Sequence, residues 1–511
     1  IFDTGLGGTA TTLSRVGGWR CVSYVAAYTV LAGAWFMGNP LTAAPDEPEH
    51  YIKTIGLARG DWFGGAPTNL VLNTVSQAGI ETTAKLTRAF YMPADFAVPA
   101  RWFCMIGDHV ASAACVFAST GPVPGAGLQP SYVARYQPYP YILPAAASRF
   151  APGRDQALGA ARFAIALSSV PFLLAAVIVL WGGRVLSEIG LLVAVTPMVI
   201  FTTVVLSPSG PEIAGAVCVL ACIVRLGRDQ SLPRSFWATM ALGCVAMVGS
   251  RALGVLWLAV DVAVLTWLVG VPRLRQVWRA HRGGVILTIA ASMIAAAASV
   301  AWQVAVPAVG GGSPAPGVGS LVQAVITLPE VFAESIGIFG WQNTEIPRYG
   351  YAIWGAMTVA LVLGAMRRGN NRERKLVDAV LVTVGSLTVL IGALVLIPIG
   401  YAMQGRYILP VGVAVPLIAA EVLWRRRHRM GAVAERRLVL AVFSAGAFVQ
   451  FIAWYANAHR AAVGTDGNWI FLFSSTWTPA LGWLPWVALA LLGSLGLAIA
   501  PMLSTAASHE Q

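Results

Sequence analysis

The sequence predicts an all-α polytopic membrane protein with about twelve spanning helices and a long first loop on the far side of the membrane. Three observations carry that class. Of 511 residues, 57% are hydrophobic and only 11% charged, against roughly 25% charged in soluble domains. Mean hydropathy is +0.70. Apolar runs long enough to cross a bilayer, which takes about 20 residues, recur along the chain. A soluble enzyme, a disordered chain and a fibrous protein are excluded by the same arithmetic.

The apolar runs fall at 20–38, 158–181, 186–206, 211–225, 235–250, 252–271, 284–306, 349–366, 376–399, 407–424, 438–457 and 481–503. Only Ser250 and Arg251 divide the fifth from the sixth. The net charge of +12 would suggest nucleic acid in a soluble chain. Here most arginines occupy short loops between apolar runs, which is a topology signal, and no nucleic-acid partner is expected. With the N-terminus inside, Arg15 and Arg20, the 225–234 and 273–282 arginines, Arg367–Lys375 and Arg425–Arg437 all fall on the inner side. The later outer connections hold Arg251, Arg348, Arg406 and Arg460, one each. Counting the apolar stretch Pro140–Ala151 as a span would flip every later basic loop, so it reads as re-entrant or interfacial. Ile1–Gly8 lacks the pattern of a signal peptide.

Residues 39–156 form the long first outer loop and 307–348 the second, which opens on the flexible run Gly310–Pro316. Residues 1–424 read as one transmembrane catalytic region and 425–511 as C-terminal spans. The sharpest feature is Pro45-Asp46-Glu47-Pro48-Glu49-His50, just after the first span. Glu49, His50 and Lys53 share a helical face. Crowded carboxylates raise at least one pKa, which suits a general base toward a hydroxyl. The competing explanation is a solvated helix N-cap. Gln404-Gly405-Arg406-Tyr407 holds the only charge between Asp378 and Glu421, and a guanidinium fork suits phosphate. Trp341, Gln342 and Arg348 gather in a third motif, 339–348, where an aromatic belt explains the tryptophan but not the amides. Arg135 and Tyr136 lie in a tyrosine-rich stretch, within reach of a lipid phosphate.

Cys104 and Cys115 share the first outer loop, where an oxidising exterior permits a disulfide. Cys21, Cys218, Cys222 and Cys244 fall in spans and read as packing residues. Asp261 sits mid-span, Glu421 beside Arg425 at the inner surface, and Glu212 at an outer hairpin facing the same space as Asp46. No HExxH, Walker A, GxSxG or CxxC site occurs.

Taken in order, these motifs resemble the GT-C superfamily of membrane glycosyltransferases. More narrowly, they are similar to a poorly characterised bacterial family of predicted membrane proteins, from about Arg20 to Trp424. The resemblance implies a polyprenyl-phosphate sugar donor and an envelope glycan or glycolipid acceptor at the outer face of a bacterial plasma membrane, with both termini cytoplasmic. It implies inverting transfer with Asp46 as base, Glu47 and Glu49 assisting, and Arg406 on the donor phosphate. His50, Lys53, Arg135, Tyr136, Trp341, Gln342, Arg348, Gln404 and Tyr407 are the remaining substrate-binding candidates. No cofactor is required, and a divalent metal at Asp46, Glu47 and His50 is the lesser alternative. The Ala-, Val-, Gly- and Arg-rich composition resembles an actinobacterial genome, which suggests an arabinan or mannan acceptor. The competing function is a transporter or flippase of lipid-linked glycan, with Asp261 as its coupling residue. A non-catalytic envelope scaffold is the third.

Overall fold

A computed structural model describes residues 7–66, 87–106, 108, 110–118, 125–180, 185–228, 232–306 and 316–504. Most of the Gly310–Pro316 run and Ile1–Leu6 lie outside the described residues. Each of the twelve apolar segments contains helix among the described residues. Among the described residues, nine helices are long and apolar enough to cross a membrane, or ten if a pair bent by 99° counts as one span.

The difference from twelve has local causes. The expected 186–206 span is broken into α5 (Val185–Ala194) and α6 (Pro197–Thr202). Pro197 lacks the N–H to continue α5 and instead opens α6, with Thr196 Oγ1 capping Val199 N. The 235–250 span is α8 (Arg234–Ser250), 17 residues long. The 252–271 span is α9 (Gly254–Val269), which turns sharply at Gly270 into the basic α10 (Val271–Ala280).

The remaining spans follow the apolar runs. They are α1 (Gly7–Gly38), α4 (Arg154–Leu180), α7 (Ser209–Leu226), α11 (Arg282–Ala305), α14 (Arg348–Arg368), α15 (Asn371–Ile391), the α16–α17 pair (Gly405–Gly412, Ala414–Arg425), α18 (Ala432–Val463) and α19 (Leu484–Ile499). Helix α7 is the central pillar, nearly all buried, with α4 and α8 against it. A Cβ at Gly215 would meet Gly243 O at 2.8 Å, so the bare glycine lets the α7 and α8 backbones meet.

At one end of the bundle, buried ion pairs tie the helices together. Arg20 pairs with Glu188 at 2.8 Å, and Glu421 holds Arg228 at 2.5 Å and Arg425 at 2.9 Å. Glu421 is wholly buried, so it is an internal clasp rather than the surface pair its position suggests.

The other end carries the stretch between α1 and α4. It holds α2 (Glu47–Ala58), an antiparallel pair β1 (Arg88–Met92) and β2 (Gly127–Ser131), and α3 (Ile142–Ser148). Helix α3 has seven residues, too few to cross, and packs on α2 and α4. Two short helices, α12 (Val318–Ile326) and α13 (Leu328–Gly337), precede α14. A disulfide joins Cys104 to Cys115, with Cα atoms 6.1 Å apart. Asn343 Nδ2 donates to Met105 O at 2.8 Å, tying this loop to the 339–348 motif.

Candidate active site

Asp46 occupies the N-cap position of α2, yet its side chain does not cap the helix. Its backbone is left-handed, at φ 61°, a conformation Asp tolerates better than most residues. The turn aims the carboxylate away from its own helix. Tyr132 Oη donates to Oδ1 at 2.5 Å and Arg406 Nη2 to Oδ2 at 2.7 Å. The solvated-cap explanation therefore does not describe this carboxylate.

Both partners are positioned by their elements. Ser131, the last residue of β2, donates to Glu49 O at 2.9 Å, which docks the sheet on α2 and places Tyr132 next to Asp46. Arg406 stands in the first turn of α16. Gly405 fits because its N–H donates to Glu334 Oε2 at 2.6 Å. A Cβ there would lie 2.2 Å from Ser335 N. The other Glu334 oxygen accepts from Gln342 Nε2 at 2.9 Å.

Asp46 opens onto a cavity of about 370 Å³. Its polar end is formed by Asp46, Tyr132, Arg135, Tyr136, Arg251, Gln404 and Tyr407, and its apolar wall by Leu253, Ile391, Val395, Leu396 and Ile399. That wall exists because α15 loosens into a π turn at Gly392–Leu396 and a 3-10 turn at Ile397–Ile399. Such irregularity recurs at functional sites in helices. The cavity is thus amphipathic, with charge at one end and hydrocarbon along the other.

The titrating groups diverge. Burial alone would raise the Asp46 carboxyl; the Arg406 guanidinium, His50, Tyr132 and Arg251 together hold it below its ordinary value. Burial, then the charge of Asp46, pushes Glu49 up to about 8, and Glu49 Oε2 is buried without a partner. Burial pushes His50 down to about 3, with Tyr141 Oη 2.7 Å from its Nδ1. Two carboxylates three residues apart thus sit in opposite protonation states near neutral pH.

Other expected site residues are placed elsewhere. Glu47 is fully buried and faces Arg162, Leu206 N and Thr42 N. Arg162 engages both of its oxygens, leaving no open acceptor. Lys53, also fully buried, donates to the carbonyls of Val133, Ala134 and Tyr136, which uses all three ammonium protons. Trp341 donates to Thr42 O at 3.1 Å and, like Gln342, does not line the cavity. Arg348 is exposed at the start of α14. Glu212 faces Trp257 Nε1 at 3.0 Å rather than the cavity. Asp261 is buried within α9. Among the described residues, no group of three or more His, Cys, Asp or Glu side chains is placed to hold a metal, and Asp46, Glu47 and His50 do not form one.

Arg251 is the residue that sequence reasoning missed. As a lone arginine between two apolar runs, it reads as a topology marker. In the fold it lines the cavity, 4.7 Å from the Tyr407 ring centroid and 5.1 Å from that of Tyr136.

The family model described as predicted membrane protein (DUF2142) matches residues 30–415. No curated protein matches the chain. The solved structure of ArnT from Cupriavidus metallidurans bound to undecaprenyl phosphate is similar at 15% identity and a TM-score of 0.41, over 96% of this chain and 78% of that one. Its apo state is similar at 15% identity and a TM-score of 0.39, over 88% and 76%.

Proposed function

This chain belongs to the predicted membrane protein (DUF2142) family, and we propose that it is a GT-C-type glycosyltransferase that moves a sugar from a polyprenyl-phosphate donor to an envelope glycan or glycolipid. One observation carries the reading: a carboxylate held by a phenol and a guanidinium at the polar end of a cavity whose far wall is hydrocarbon. The positive-inside pattern supports an extracytoplasmic position for this end and cytoplasmic termini.

The geometry suits a single displacement. The donor chain lies along Leu253, Ile391, Val395, Leu396 and Ile399, and its phosphate reaches Arg406, which stands behind the cavity wall and is tied to it through Asp46 Oδ2. As Arg406 turns to the phosphate, it releases Asp46 Oδ2. The carboxylate loses its strongest stabilising charge, becomes more basic, and takes the proton of an acceptor hydroxyl. Tyr132 keeps the other oxygen oriented. The acceptor oxygen attacks the anomeric carbon opposite the phosphate, which inverts it. A glycan of the arabinan or mannan type is the acceptor class. Glu49, neutral below pH of about 8, stays out of proton abstraction and keeps a second negative charge away from Asp46.

The test is sugar transfer by purified protein in nanodiscs. Radiolabelled polyprenyl-phosphate sugars would be offered with crude envelope glycolipid, comparing wild type with Asp46→Asn. Transfer from one donor, lost in the variant, supports the reading and names the sugar. Absence of transfer from every donor, in folded protein that binds those lipids, overturns it in favour of lipid-linked glycan translocation.

A further inference from the structure

Arg251 leaves α8 at the point where the chain turns into α9, and lines the cavity beside Asp46. Its guanidinium packs on the rings of Tyr136 and Tyr407. These contacts fix the fork without neutralising it. Its Nε is buried and has no hydrogen-bond partner. Its Nη2 donates to Tyr136 Oη at a long 3.5 Å. Glu212 contributes to the field at Arg251, but its Oε1 is bonded to Trp257. Among the described residues Arg251 has no ion pair. With no ion pair of its own, this cation keeps its fork available to an anion that enters the cavity.

Resting on the glycosyltransferase reading above, we infer that Arg251 is a second catalytic guanidinium, which with Arg406 forms a two-arginine clamp on the departing lipid phosphate. The charges follow the reaction. The bond from anomeric carbon to phosphate oxygen breaks, with its electron pair going to that oxygen. The acceptor oxygen bonds to the same carbon, and its proton goes to Asp46. The lipid phosphate thereby passes from one negative charge to two. In the resting site ionised Asp46 offsets Arg406 and leaves Arg251 for the incoming phosphodiester; Arg406 joins it as Asp46 is released. After transfer, neutral Asp46 leaves both for the dianion. Arg135, half-buried with its Nε on Val306 O at 2.9 Å, adds to the same positive field. The clamp therefore grips the leaving group more tightly than the substrate, as transition-state stabilisation requires.

The experiment measures binding of a long-chain polyprenyl phosphate, and of the polyprenol of equal length without phosphate, to the full chain in nanodiscs. Wild type, Arg251→Met and Arg251→Lys are compared. The expected result is phosphate-selective binding by wild type. Arg251→Met should weaken phosphate binding by about 10- to 100-fold with polyprenol binding unchanged, and Arg251→Lys should recover part of the loss. Wild-type phosphate affinity in both variants overturns the clamp while leaving the donor reading intact. Equal loss of both probes also overturns it, because that marks a purely structural arginine. A wild type without phosphate preference removes the donor reading and the clamp together.

Discussion

Arg406 Nη2 donates to Asp46 Oδ2 at 2.7 Å, across 360 residues of sequence. Both side chains are largely buried, with 8% and 18% of their surfaces exposed. On the proposed mechanism this pair is the resting state, which a competing phosphate opens by offering Arg406 an equivalent bidentate partner.

Replacing Asp46 by Asn preserves shape and removes the proposed base. Transfer should fall by about 100- to 10,000-fold, with binding of the polyprenyl phosphate retained or tightened, because Arg406 is no longer held. A variant that transfers at the wild-type rate would dismiss Asp46 as base. Initial rates and lipid binding on the same preparation decide it.

Glu47 and Arg162 act on stability. The pair lies 0% and 2% exposed, and Arg162 also donates to Asn39 O at 2.9 Å and Pro40 O at 2.6 Å, pinning the exit of α1. Breaking a buried pair from one side strands a charge, so Glu47→Ala should lose about 3–5 kcal/mol. Thermal unfolding in detergent, with the wild type alongside, measures this. A shift within error would show the carboxylate to be dispensable.

Glu49 makes stability depend on pH. Its folded pKa of about 8 stands above the ordinary carboxyl value because burial, and then Asp46, disfavours the anion. The folded state therefore binds the extra proton. The contribution is complete below the unfolded value, near pH 4.5, and is lost as pH rises to about 8. Glu49→Gln should leave unfolding unchanged at pH 5 and raise the midpoint relative to wild type at pH 8.5. Parallel curves across that range would contradict the assignment.

Glu334 orients Arg406 from behind through Gly405 N. Burial foremost, with Glu330 adding and the Gly405 N–H and Arg406 opposing, sets its carboxyl at about 7. As pH falls through about 7, protonation removes an acceptor from either Gly405 N or Gln342 Nε2. Polyprenyl-phosphate affinity should weaken more steeply between pH 8 and 6 in wild type than in Glu334→Gln, where the phosphate's own titration remains. An unaltered pH profile in that variant would rule out the latch.

By itself, the sequence determined the helical membrane class, the apolar helical segments and the motifs from which the candidate site is built. Charge is scarce in an apolar chain, so Asp46 and Arg406 stand out where they break it, and the basic loops give the expected orientation. Helical periodicity also puts Glu49, His50 and Lys53 on one helix. What periodicity does not carry is which side of that helix other backbone covers. Only the tertiary structure closed the 133–136 carbonyls over Lys53, set Arg162 against Glu47, and left Asp46 open. It alone brought Tyr132, Arg251 and Arg406 to one carboxylate, because contacts between elements depend on packing at long sequence separation rather than on local pattern. The same reason hides Arg251 in the sequence: one arginine between two spans is ordinary until the fold stacks it on two tyrosines at the mouth of a cavity.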